Sequence, residues 1–279
     1  MSARTLVLWD LDLTLLDPAG FGARMFAPAL RAVLGREGRV DFRFAGMTDR
    51  AIGVRLLEEN GVDPVERPEL VVELVERFAE ACEDAEDEFV TAGGGPLPGA
   101  REVLAALAAR DDVVQGVATG NSRRTALLKL RACGLDRWLD GSVGGYGDEH
   151  LDRRHLVADA IASAGPPTGR DAPVSGAAGA GGAAGVADAV DTGGSVGTGG
   201  SVGTGGAVVV VGDTVHDVRG ALSAGATAVG VATGHTDAPT LLAAGATVVL
   251  PDLTDTPAVV EALLSAPRLH RAGPRPPRD

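Results

Sequence analysis

Residues 6–17 read LVLWDLDLTLLD. An apolar run that suits a buried strand stops at Asp10, and Asp12 and Thr14 follow at two-residue intervals. Because side chains alternate along a strand, Asp10 and Asp12 can point to the same side, the first at the strand's carboxyl end and the second just beyond it. Two carboxylates that close repel each other, so either one keeps a proton or a cation sits between them. What the rest of the chain brings to that end of the strand decides the fold.

Besides TLVLW (5–9), short β-rich runs recur at VVQGVA (113–118), GSVGG (141–145), AVVVVG (207–212), TAVGVA (227–232) and TVVL (247–250). Helical patterns lie between them, as in SRRTALLKLRACG (122–134), RRHLVADAIASAG (153–165) and VHDVRGALSAGA (215–226). That alternation predicts an α/β fold, a Rossmann-like parallel sheet with helices on both faces. Near-continuous valine runs suit strands buried on both sides. In such sheets ligands gather beyond the carboxyl ends of the strands. Three of those ends carry polar residues: Asp10, Thr119 and Asp213.

Between the first two strands, residues 17–93 are rich in helical periodicity and are expected to form an inserted α-helical cap on a core made of residues 1–16 and 94–265. The pattern PELVVELVERFAEACEDAEDEF (68–89) gathers Leu70, Leu74, Val75, Phe78 and Cys82 on one side of a helix. Its nine acids read as a solvated face. The loop AGMTDR (45–50) lies in the same insertion. A second insertion, residues 165–206, holds 15 glycines, no aromatic residue and a tandem GGSVGT at 193–198 and 199–204. It cannot bury enough surface to offset its ordering entropy, and two copies are too few for a stacked repeat, so a disordered loop is expected. The Pro/Arg-rich tail, 266–279, is expected to be flexible.

With 25 basic and 38 acidic residues the formal net charge is −13, which argues against generic attraction to nucleic acid or an anionic membrane. No segment approaches the roughly 20 apolar residues of a membrane span, and the N-terminal apolar run is too short for a signal-peptide core. A cytoplasmic location is the expectation. Cys82 and Cys133 lie far apart, without a CxxC motif or a histidine pair, against a disulfide framework or zinc site.

Asp213, after VVVVG, adds a third acid to Asp10 and Asp12, and an all-oxygen cluster selects a hard ion such as Mg2+. A carboxylate beside that ion can attack phosphorus, while its neighbour protonates the departing alcohol and later activates water. ATGN (118–121) fits the same task. The Thr119 hydroxyl and the backbone N–H groups of Gly120 and Asn121 form an oxyanion corner at a helix start, with Ser122 placed to cap that helix. A phosphate-bearing ligand would also need a local cation, and Lys129 is the only lysine in the chain.

These residues resemble the haloacid dehalogenase (HAD) superfamily of phosphohydrolases. VLWDLDLTLLD is similar to its first motif, hhhDxDxT, GVATGN to its second, and VVVVGDTVHDVRGALSAGA to its fourth. The insertion between the first two motifs places the resemblance in the phosphoglycolate-phosphatase-like branch. It implies Asp10 as nucleophile and Asp12 as general acid/base whose backbone carbonyl also touches the metal. It further implies Asp213 as metal-binding acid, Asp217 as support to the metal shell, and Thr119 and Gly120 as phosphate holders. For the third-motif cation that bridges nucleophile and phosphate, GYGDEHLDRRHLVADA (144–160) suggests Arg153, then Arg154. Lys129 is the rival, although it reads as an amphipathic helix position. Glycine is usual in the family where Leu13 stands. The resemblance thus implies a Mg2+-dependent phosphatase acting on a small phosphorylated metabolite, phosphoglycolate being one candidate. A phosphomutase would use the same parts. Dehalogenation would leave Asp12 without a task. A receiver-like phosphoacceptor is disfavoured by the large insertion, and a catalytically silent scaffold is the remaining alternative.

Overall fold

The computed structural model describes residues 4–42, 44–165 and 206–272, with side chains to Pro267. Nearly all of the glycine-rich insertion, and residues 273–279 of the tail, lie outside the described residues.

The chain begins with β1 (Thr5–Trp9) and the short β2 (Leu16–Asp17). Helices α1 (Phe21–Leu34), α2 (Asp49–Glu59), α3 (Pro68–Asp84) and α4 (Glu86–Thr91) follow, and β3 (Gly95–Pro96) leads back. Next come α5 (Ala100–Ala108), β4 (Val113–Ala118), α6 (Arg123–Cys133), β5 (Gly144–Gly145) and α7 (Arg153–Ser163). The last elements are β6 (Val208–Gly212), α8 (Val215–Ser223), β7 (Thr227–Val231), α9 (Ala238–Ala243), β8 (Val248–Leu250) and α10 (Thr256–Ala272).

Six strands form one parallel sheet in the order β5-β4-β1-β6-β7-β8. β1 is therefore central, and Trp9 is in register with Val117 on one side and Val211 on the other. That register sets the residues after β1, β4 and β6 side by side at the sheet's carboxyl edge. The strands are mostly apolar because both faces are covered, and the buried exception in β4, Gln115, is hydrogen-bonded to Trp9 Nε1 and to the Leu104 carbonyl. Val7, Trp9, Val209 and Val211 pack into one core, while Leu6, Leu8 and Val210 pack with Val157, Val218 and Ala221 into the other. The first core continues into the insertion, where Phe26 of α1 stacks on Phe78 of α3 with ring centroids 3.8 Å apart. An antiparallel pairing of Leu16 with Pro96 and Asp17 with Gly95 joins the two ends of the insertion. No helix among the described residues is long and apolar enough to cross a membrane.

Three sequence expectations need correction. The pattern at 68–89 is two helices, broken at Ala85 (φ −111°). Acids concentrated at 83–88 oppose the negative end of a continuing helix, and the bend turns Phe89 inward against Phe21, ring centroids 5.4 Å apart. The buried side of α3 is Val71, Leu74, Val75, Phe78, Ala79 and Cys82, with Leu70 only half-buried. GSVGG contributes only Gly144 and Gly145 to the sheet, because Asp140 and Ser142 form a side-chain-bonded turn just before. The tail expected to be loose from residue 266 starts as helix: α10 runs to Ala272, anchored by the fully buried Ala266.

Gly99, which starts α5, is held at φ 84°, and a Cβ there would run into the Leu253 carbonyl. Gly99→Ala should destabilise the fold by about 2–4 kcal/mol, combining left-handed strain with overpacking. Urea unfolding measures this, and a loss below about 1 kcal/mol would show that the junction is not rigid.

Candidate active site

The Asp10 amide still bonds to the Val211 carbonyl at 2.9 Å, so Asp10 ends the β1–β6 ladder with its side chain buried. The chain then turns through Leu13, whose φ of 63° lies in the left-handed region that costs an L-residue about 1–2 kcal/mol. The Leu13 carbonyl accepts a hydrogen bond from Thr233 Oγ1 at 2.6 Å. Leu13 thus adopts, under strain, a backbone conformation that glycine would adopt freely.

After β6, buried Asp213 accepts a hydrogen bond from Thr14 Oγ1 at 3.2 Å. Thr214 and Asp217 cap α8 reciprocally: Asp217 Oδ2 accepts from the Thr214 amide at 3.0 Å and from its hydroxyl at 2.7 Å. Asp10, Asp213 and Asp217 each offer a carboxylate oxygen within 4.8 Å of the others. Burial, reinforced by mutual repulsion, pushes Asp10 and Asp213 well above the carboxylate range, although Arg153 pulls the other way.

Arg153 opens α7, which Asp152 caps. Its Nη1 lies 3.5 Å from Asp10 Oδ1 and pairs with Asp217 Oδ1. Burial works against its charge, but Asp10, Asp217 and Asp213 hold the guanidinium firmly protonated. Two buried side-chain atoms here have no hydrogen-bond partner, Asp10 Oδ1 and Arg153 Nε. Arg154, the second candidate, points away and pairs with Asp152 at the surface.

Asp12 takes a different course. Its carboxylate leaves the three-acid cluster and both of its oxygens accept from Lys129 Nζ at 2.8 Å. Asn121 completes the group, donating to Asp12 Oδ2 at 3.2 Å and to Thr119 Oγ1 at 2.9 Å, and accepting from Lys129 Nζ at 2.7 Å. Lys129, read from sequence as an amphipathic helix position, is 2% exposed. Burial opposes its charge, but Asp12 and Asp49 raise it above the ordinary lysine value. The two rival cations therefore both reach the site, Arg153 at Asp10 and Lys129 at Asp12. A signal for Lys129 was present: with Ala126, Leu130 and Cys133 it lies on the buried stripe of α6.

Asp49, the first residue of α2, was not anticipated. Its Oδ2 accepts from the Ser122 amide at 2.6 Å, and burial pushes its carboxyl up to about 7 despite that bond and Lys129. Ser122 stands at the start of α6 but does not cap it, because its hydroxyl bonds to Thr125 Oγ1 at 2.9 Å. Backbone bonds from Asp49 to Gly120 (2.7 Å) and from Arg50 to Gly147 (3.0 Å) stitch α2 to the sheet edge. Gly120 must be glycine for this approach, since a Cβ would sit 2.9 Å from Arg153 Nη2 and collide with the Met47 carbonyl. A cavity of about 220 Å³ lies between the sheet edge and the inserted helices, lined by Asp10, Asp12, Asn121, Lys129, Arg153 and Asp213 on the sheet side.

The family model for haloacid dehalogenase-like hydrolases matches residues 5–162 of the 279, and a HAD-hydrolase-like model matches residues 200–256. The chain belongs to the haloacid dehalogenase-like hydrolase family. A search of curated proteins finds no match. Among solved structures, this HAD-like hydrolase is similar to a hydrolase from Pseudomonas syringae, with 22% identity and a TM-score of 0.60 over 95% of this chain and 100% of that one. It is similar also to a predicted phosphatase from Clostridium acetobutylicum, with 17% identity and a TM-score of 0.60 over 93% and 100%. A candidate beta-phosphoglucomutase from Bacteroides vulgatus shares 16% identity, with a TM-score of 0.57 over 95% and 90%. At these identities the likeness is one of fold.

The donor set of this HAD-like hydrolase suits a hard divalent ion. The clustered ligand atoms are all carboxylate oxygens, and Asp10 Oδ1 is a buried acceptor left open. The Lys129–Asp12 pair is separately testable. Lys129→Met should cost about 1–3 kcal/mol, because it strands a half-buried carboxylate, and adding Asp12→Asn should recover at least half of that loss. Additive losses in a double-mutant cycle would show that the pair is not coupled.

Proposed function

We propose that this HAD-like hydrolase is a Mg2+-dependent phosphatase that hydrolyses a small phosphorylated metabolite in the cytoplasm through an aspartyl-phosphate on Asp10. The observation that carries the proposal is that the same buried site holds an acceptor, Asp10 Oδ1, and a donor, Arg153 Nε, that have no hydrogen-bond partner. A buried acceptor and a buried donor left unpaired are both costly. A phosphoryl group bound together with a cation satisfies both at once.

Asp10, Asp213 and the Asp12 backbone carbonyl would hold Mg2+, with Asp217 supporting them. Bound there, the ion neutralises the crowded carboxylates and draws charge from the phosphoryl oxygens. The Asp10 carboxylate attacks phosphorus. The bond from phosphorus to the alcohol oxygen breaks with its electron pair going to that oxygen, which takes a proton from Asp12. Asp12 then takes a proton from water as the water oxygen attacks phosphorus, and the bond from Asp10 to phosphorus breaks to release inorganic phosphate. Arg153 bridges nucleophile and phosphoryl oxygens, and Thr119, Gly120 and Asn121 close the anion-binding corner. Lys129 and Asn121 fix the position from which Asp12 works. The inserted helices act as a cap that keeps bulk water out.

Turnover of para-nitrophenyl phosphate by the full chain should require Mg2+ and fall about 1000-fold or more in Asp10→Asn. Mg2+ should also raise the melting temperature of the wild type and fail to do so in Asp213→Asn. A folded wild type with no Mg2+-dependent turnover would overturn the proposal.

A further inference from the structure

We infer that the leaving group is a small, largely apolar alcohol, so that the substrate class is an alkyl or aryl phosphomonoester rather than a sugar phosphate or a phosphorylated carboxylic acid. This rests on the phosphatase reading and extends it to the far wall of the same cavity. The charged groups sit at the sheet edge, beside Leu13, whereas the opposite wall presents Phe26, Phe44, Met47, Ile52 and Phe78. The aromatic part of that wall is locked: Phe26 and Phe78 stack within 7° of parallel, and Phe44 meets Phe26 edge-on with centroids 5.5 Å apart. Leu13 adds apolar surface from a backbone conformation, φ 63°, in which glycine would be relaxed.

Both cations lining the cavity are already engaged, Lys129 by Asp12 and Asn121, and Arg153 by Asp217 beside Asp10. Among the described lining residues, the remaining charged or titratable groups are Asp49, buried where α2 meets the sheet edge, and His235, which is exposed. A second carboxylate or phosphate on a leaving group directed at that wall would therefore meet apolar side chains with no uncommitted lysine or arginine among them. Sugar hydroxyls would press against phenyl rings without partners, the arrangement most costly for a buried polar group. The volume of about 220 Å³ lies below the roughly 300 Å³ where ligand pockets usually begin, which favours a small leaving group beside the phosphoryl group.

Binding of non-hydrolysable analogues separates this inference from the catalytic reading. The full chain in Mg2+ buffer is titrated calorimetrically with ethyl-, propyl-, butyl- and pentylphosphonate and with phosphonoacetate. The Kd should fall about fourfold per added methylene, and pentylphosphonate should bind at least tenfold more tightly than phosphonoacetate. In Phe44→Ser the dependence on chain length should flatten, an effect that general destabilisation does not produce. A flat series in the wild type, an unaltered slope in the variant, or tighter binding of phosphonoacetate overturns the inference. The phosphate monoesters of the same alcohols serve as the second arm. Apolar preference in binding without hydrolysis of any ester would sink the phosphatase reading while upholding the ligand class.

Discussion

Everything at this site follows from burying three carboxylates against one guanidinium. Asp10, Asp213 and Asp217 come within 4.8 Å of one another in a protein interior where like charges are poorly screened. Arg153 offsets part of that repulsion, but burial, together with the repulsion that remains, shifts both Asp10 and Asp213 upward. The sheet imposes the crowding. With β1 between β4 and β6, and Trp9 level with Val117 and Val211, the residues that follow these strands have nowhere else to go.

The two aspartates of the opening motif are two positions apart, yet the fold gives them opposite environments. Asp10 is enclosed with other acids, while Asp12 turns to Lys129 and Asn121 and keeps a side chain about one-third exposed. The two acids of one motif thus sit in different electrostatic surroundings, one among like charges and one against a lysine. The cation that answers Asp12 is thus a lysine from α6, and only the Asp10 side is left short of positive charge. Asp49 ties the inserted helices into the same network, since its carboxylate holds the start of α6 and its amide holds Gly120.

Much of this was legible in the sequence because it is periodic or local. β1 and β4 have the bounds that their apolar runs suggest, and the acids at strand ends fall together because a parallel sheet aligns those ends. What was not legible depends on long-range packing. Lys129 is 117 residues from Asp12 and Asp49 is 73 from Ser122, so neither pairing leaves a local signature. Ser122 shows the converse, a good local capping signal that is not used, because its hydroxyl bonds to the Thr125 hydroxyl instead. Helix α3 stops early for a reason the apolar pattern does not hold, the run of like charges just beyond its end.

A crystal structure with Mg2+ and beryllium trifluoride, an aspartyl-phosphate mimic, tests the central claim directly. The account predicts the fluoride adduct on Asp10, Arg153 on its fluorine atoms, and the ion about 2.1 Å from oxygens of Asp10, Asp213 and the Asp12 main chain. An adduct on any other residue, or an ion bound away from Asp10 and Asp213, would contradict it.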